Sequence, residues 1–164
     1  MNKLLEVKDL AIEFSMEEGT VHAVNHLNLE IAQGETLGLV GETGAGKTST
    51  ARGIMRLIQS PPGKIISGEV LFEGTDLLKE SEAGMRSVRG ENISMIFQDP
   101  MTALNPVLRV DEQIAEVIKL HKQVSHKEAL QAACEMLDRV GIPAARGREY
   151  PHQFSGGMKQ RVVI

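Results

Sequence analysis

The sequence predicts an α/β fold, and three observations point to it. Apolar and polar residues alternate through the N-terminal third. A short, continuously apolar run then leads into a glycine-rich turn and a helix. Beyond about residue 107 the pattern becomes helical. Alternation marks strands with one wet face, as in antiparallel sheets, whereas an unbroken apolar run marks a strand covered on both faces, as in parallel sheets. A length of 164 residues suits one domain with a real core.

In chain order, Leu5 to Phe14 alternates, breaks near Glu17-Glu18-Gly19, and resumes from Val21 to Ile31 before Gln33-Gly34. Thr36 to Val40 is the unbroken apolar run. The helix after it is expected over Thr48 to Ile58, where Ala51, Ile54, Met55 and Ile58 recur at helical spacing, and Ser60-Pro61-Pro62-Gly63 ends it. Ile65 to Phe72 returns to strand, with turns at Ser67-Gly68 and Glu73-Gly74, and Ile93 to Phe97 is a second short apolar strand. Ile114, Val117, Ile118 and His121 then share a helix face. Ser125-His126-Lys127-Glu128 has capping-box spacing ahead of a helix carrying Leu130, Ala133, Cys134, Leu137 and Val140, and Gly141 stops that helix.

Composition narrows the function classes. Lys and Arg number 18 against 22 Asp and Glu, a net charge of −4, which disfavours electrostatic nucleic-acid binding. The one cysteine, Cys134, cannot form an internal disulfide and fits a core position on its helix. No run approaches the ~18 apolar residues of a membrane helix, and the N-terminal segment has no secretory apolar core. The five histidines read as surface residues.

Gly41-Glu42-Thr43-Gly44-Ala45-Gly46-Lys47-Thr48 matches the pattern G-x-x-x-x-G-K-[ST] between a buried strand and a helix. Its glycines let backbone N–H groups turn inward around phosphates, where side chains would block the approach. The helix start adds free N–H groups and a favourable dipole. Lys47 supplies a point charge for the β- and γ-phosphates, and the Thr48 hydroxyl suits Mg²⁺. This motif alone leaves kinases, GTPases and transport ATPases open.

Ser155, 108 positions after Lys47, is a candidate N-cap, and Gly156 and Gly157 keep the following helix start bare. Tyr150 to Arg161, with Phe154-Ser155-Gly156-Gly157-Met158 at its centre, resembles the signature motif of the ATP-binding-cassette (ABC) ATPases. The family's usual Leu-Ser-Gly-Gly-Gln is altered here to Phe154 and Met158. Met95-Ile96-Phe97-Gln98-Asp99-Pro100 is similar to the same family's Q-loop. The wider string from Phe97 through Met101-Thr102-Ala103-Leu104-Asn105-Pro106, together with Phe154 to Arg161, resembles the ATPase subunits of dipeptide and oligopeptide importers, and of the related nickel importers. The resemblance runs over essentially the whole chain.

The resemblance implies an ABC-type P-loop NTPase domain with antiparallel β and helical subdomains. Its parts would be a β subdomain (1–35 and 64–74), a P-loop core (36–60 and 91–98), a helical subdomain (99–155) and the start of the signature helix (156–164). It implies ATP and Mg²⁺ as cofactors. In cis the nucleotide would meet Gly41, Glu42, Thr43, Gly44, Ala45, Gly46, Lys47, Thr48 and Ser49, with Phe14 stacking on adenine. Phe packing on its own sheet remains open for Phe14, and a plain helix-start serine for Ser49. Thr48 and Gln98 would serve the metal, and Lys47 and Gln98 catalysis. In trans, Ser155, Gly156, Gly157 and Met158 would meet the ATP of a second ABC subunit. Transmembrane permease subunits would dock around Asp99 to Asp111 and a solute-binding protein would act indirectly, which places the chain peripherally on the cytoplasmic face of the inner membrane.

In the family the Walker B aspartate, the catalytic glutamate and a switch histidine follow the signature helix, and none is found here. The expectation is therefore a domain incomplete at its C-terminus, with binding parts present, hydrolytic parts absent, and strand 36–40 left with unpaired edges and an uncovered face. The alternatives are a non-hydrolysing nucleotide-binding or dimerisation fragment, and an ABC ATPase outside transport.

Overall fold

The computed structural model describes residues 3–99 and 102–164. The chain divides into two compact units, Met1–Arg86 and Ser87–Ile164.

The first unit is built on an antiparallel sheet of order β2-β1-β3-β4, with β1 at Lys3–Met16, β2 at Gly19–Ala32, β3 at Gly63–Phe72 and β4 at Thr75–Asp76. Alternation selects the face: Val7, Leu10, Ile12, Val24 and Val70 turn inward and are buried. The expected turn at Ser67-Gly68 lies within β3. It is a bulge, because Gly68 (φ +112°) faces the register shift between Lys8 and Ala11, and a Cβ there would stand 2.7 Å from the Leu10 Cα. Glu73 and Gly74, both with positive φ, make the tight turn into β4.

Helix α1 spans Lys47–Ile54, one turn shorter than the apolar spacing predicts. Arg56 takes a left-handed conformation (φ +52°). The Leu57 N–H donates to the Arg52 carbonyl and the Arg56 N–H to the Gly53 carbonyl, closing the helix as a Schellman end. The Arg56 guanidinium, held on the Leu77 and Glu80 carbonyls and on Glu82, favours that unusual conformation over a further turn. A Cβ on Gly53 would meet Ile12 Cδ1 at 2.5 Å, so this glycine lets α1 lie close on β1.

Two expected strands differ. Thr36–Val40 and Ile93–Phe97 join no sheet among the described residues. Ile93 makes only an isolated bridge to Arg89. A strand exists by its ladder, and no described segment forms a ladder with either run. Val40 is 94% exposed, and Leu37, Leu39, Ile96 and Phe97 are exposed as well. The uncovered face expected for 36–40 is what these exposures show.

Helix α2 covers Glu82–Val88. In the second unit, α3 (Val110–His121) and α4 (His126–Arg139) pack through Ala115, Ala129 and Ala133, small residues that let the helices approach. The capping box is present: the Ser125 hydroxyl accepts from the Glu128 N–H, and the Glu128 carboxylate accepts from the Ser125 N–H at 2.8 Å. Gly141 (φ +72°) ends α4. A 3-10 turn at Ala144–Arg148, a second at Pro151–Gln153 and α5 (Gly156–Val163) complete the unit. Val110, Leu137, Ile142 and Phe154 form its core, joined by Met158 and Val162.

Candidate nucleotide-binding site

The glycine-rich turn runs directly into α1. Gly44 (φ +85°) and Gly46 (φ +79°) occupy backbone conformations that favour glycine. Gly46 is the N-cap of α1 and provides no side-chain cap, so the first-turn N–H groups are left for a ligand. Gly41 to Ala45 are exposed, and the Ala45 N–H donates to the Glu42 carbonyl. The half-buried Lys47 folds back over the turn, its ammonium donating to the Gly41 and Glu42 carbonyls at 2.6 Å each. The loop thus closes on its own cation. Thr48 is exposed at the helix start, Ser49 is half-buried, and the Thr50 hydroxyl donates to the Gly46 carbonyl at 3.0 Å.

Phe14 is half-buried at the end of β1, opposite Val21 on β2 and Gly63 on β3. A Cβ on Gly63 would lie 2.8 Å from the Phe14 ring, so the ring rests over that glycine. Gln98 is exposed in the second unit, and Pro100 and Met101 of the Q-loop string lie outside the described residues.

The helix start at Ser155 is capped. The Ser155 hydroxyl accepts from the Met158 N–H at the start of α5, and a Cβ on Gly156 or Gly157 would meet nothing within 4 Å. Phe154, 5% exposed, fills an apolar slot where the family pattern has Leu. Met158, where it has Gln, packs on the same core. Among the described residues no group of three His, Cys, Asp or Glu is arranged to hold a metal. The Thr48 hydroxyl, a hard oxygen donor at the open helix start, fits Mg²⁺ better than a soft metal.

Sequence reasoning missed two supports. The Ala23 carbonyl on β2 abuts Gly46, a contact that depends on how β2 is placed. Arg146 grips both sides of the Ser155 turn, and its i,i+3 spacing to Glu149 was the available signal.

A glycine-rich turn closed by a lysine at an uncapped helix start defines a P-loop nucleotide-binding protein. Residues 24–164 match the family described as ABC transporter, and the chain belongs to that family. It is 52% identical to the oligopeptide transport ATP-binding protein OppD of Bacillus subtilis (strain 168), over 100% of this chain and 46% of that protein. It is 47% identical to the dipeptide transport ATP-binding protein DppD of the same organism, over 100% of this chain and 50% of that protein. The chain thus spans about half the length of these relatives. Its structure is similar to that of MJ0796, described as a bacterial ABC transporter cassette, in its dimeric structure, with a TM-score of 0.83 and 26% identity over 98% of this chain and 67% of that one. Among the described residues no helix is long and apolar enough to cross a membrane.

Proposed function

We propose that the chain is the nucleotide-binding portion of an ABC ATPase subunit that powers import of short peptides or a related solute. The P-loop carries this reading: Lys47 is folded onto the Gly41 and Glu42 carbonyls beside an uncapped helix start. The peptide specificity rests on the likeness to OppD and DppD.

The mechanism follows from what these groups can exchange. The Lys47 ammonium trades its carbonyl acceptors for phosphate oxygens, and the loop N–H groups and the α1 dipole hold the rest of the charge. Mg²⁺ bound with ATP would offset part of the charge of the phosphates. The Thr48 hydroxyl would hold it as a hard oxygen ligand, and the family resemblance would add Gln98. Ser49 steadies the phosphate chain, and Phe14 offers a ring face to the base. Ser155, Gly156, Gly157 and Met158 serve a nucleotide held by a second ABC subunit. Permease subunits, contacted from around Asp99 to Asp111, carry the motion into the membrane, with a solute-binding protein delivering cargo. On this reading the subunit works at the cytoplasmic face.

Titration of the chain with a fluorescent ATP analogue is expected to show saturable, Mg²⁺-dependent binding that K47A abolishes while the melting profile is retained. Binding unchanged by K47A would refute the assignment of the P-loop.

A further inference from the structure

The Ser155 turn is short, exposed and bare of side chains at Gly156 and Gly157, so its aim must be set by neighbours. One side chain touches both flanks. Before the turn, the Arg146 guanidinium donates to the Gln153 carbonyl at 3.1 Å and lies 5.0 Å from the centre of the Phe154 ring. After the turn, it donates to the Met158 sulfur at 3.2 Å. The guanidinium is itself fixed: Nε and one terminal nitrogen fork onto the Glu149 carboxylate, the shortest contact being 2.6 Å. Glu149 is anchored in turn, because its carbonyl accepts from the N–H of Val110, a fully buried core residue at the start of α3.

From this we infer that Arg146 is the positioning residue of the Ser155–Gly157 turn, bracing both flanks so that the Ser155 hydroxyl and the first N–H groups of α5 are aimed outward together. It touches no nucleotide itself. The planar fork suits this task as an ammonium would not, because its several donors hold a fixed mutual geometry. The inference rests on the reading that this turn meets a nucleotide held by a second subunit.

The test uses the protein at its full natural length, with ATP binding to its own P-loop and ATP-driven pairing of subunits measured separately. R146M, R146K and S155A are compared with the unsubstituted protein. If Arg146 positions the turn, R146M leaves the ATP dissociation constant unchanged and weakens ATP-driven pairing by about tenfold or more. R146K, which keeps the charge but loses the fork, falls between. If R146M does not fold, R146K decides: weaker pairing at an unchanged dissociation constant supports the assignment. Pairing equal to the unsubstituted protein in the folded Arg146 variants, with S155A impaired, overturns the positioning role and leaves the proposed function standing. Equal loss of ATP binding and pairing marks Arg146 as a general structural residue and also overturns it. If S155A pairs normally, the trans reading of the turn fails, and this inference fails with it.

Discussion

The carbonyl oxygen of Ala23 lies only 2.1 Å from where a Cβ on Gly46 would be. Strand β2 therefore closes directly against Gly46, the residue before Lys47.

That contact separates two glycines that look alike in the motif. Both Gly44 and Gly46 have positive φ, but a Cβ on Gly44 would meet nothing within 4 Å. G44A thus carries only backbone strain, on the order of 1–2 kcal/mol. G46A adds a collision with backbone and is expected to cost more than about 3 kcal/mol, with loss of ATP binding. Thermal or urea unfolding of the two variants checks the order. Equal destabilisation would show that β2 yields easily.

Gly156 and Gly157 give the opposite case. Both stand at the start of α5 with open space where a side chain would be. Alanine is the better helix former, so G157A is expected to stabilise the isolated chain by about 0.5–1 kcal/mol. On the proposed reading, the same methyl group would stand where a phosphate of the second subunit's nucleotide approaches, and ATP-driven pairing is expected to fall. A melting temperature that rises while pairing drops would show stability given up for access. Unchanged pairing would remove the reason for a bare turn.

The capping box of α4 is a local device with a local cost. S125A removes the acceptor for the Glu128 N–H and is expected to destabilise the chain by about 1 kcal/mol. S125D, which keeps an acceptor at the cap, is expected to recover most of it. Loss of α4 helicity with S125A but not S125D, followed by circular dichroism, checks this.

What was legible in the sequence follows the range of the interaction. The P-loop, the Ser125–Glu128 box and the Gly141 stop are written within a few residues of chain, and each can be read from spacing. The paired left-handed residues Asp9 and His26, which face each other with a 2.6 Å contact, depend on the register of β1 against β2. Helix α1 ends a turn before its apolar spacing predicts because Arg56 finds its acceptors more than 20 residues away, at Leu77 and Glu80. Thr36–Val40 has the composition of a buried strand, but composition supplies no ladder partner. In the site, Lys47 and Ser155 were visible, whereas the brace through Arg146 required the turn at Ala144–Arg148 to bring the guanidinium to Gln153, Phe154 and Met158.

The same brace has a predictable pH dependence. The hydrogen bond from Arg146 holds the Glu149 carboxyl below the ordinary range of a glutamate, outweighing the opposing effect of partial burial. The guanidinium, whose own pKa is raised by Glu149, stays charged throughout. Because the folded-state pKa of Glu149 is depressed, its stabilising contribution is fully present above the unfolded value, about 4.3. It is lost as pH falls through the lower folded value. Stability contributed by this pair is therefore flat between about pH 6 and 8 and declines only in the acid range. E149Q removes the titrating group but keeps an amide of similar size. The stability difference between E149Q and the unsubstituted chain is expected to be constant near neutrality and to shrink as pH falls below about 4. Urea unfolding at a series of pH values measures it. A difference that instead grows on acidification would mean that Glu149 is not held ionised by Arg146.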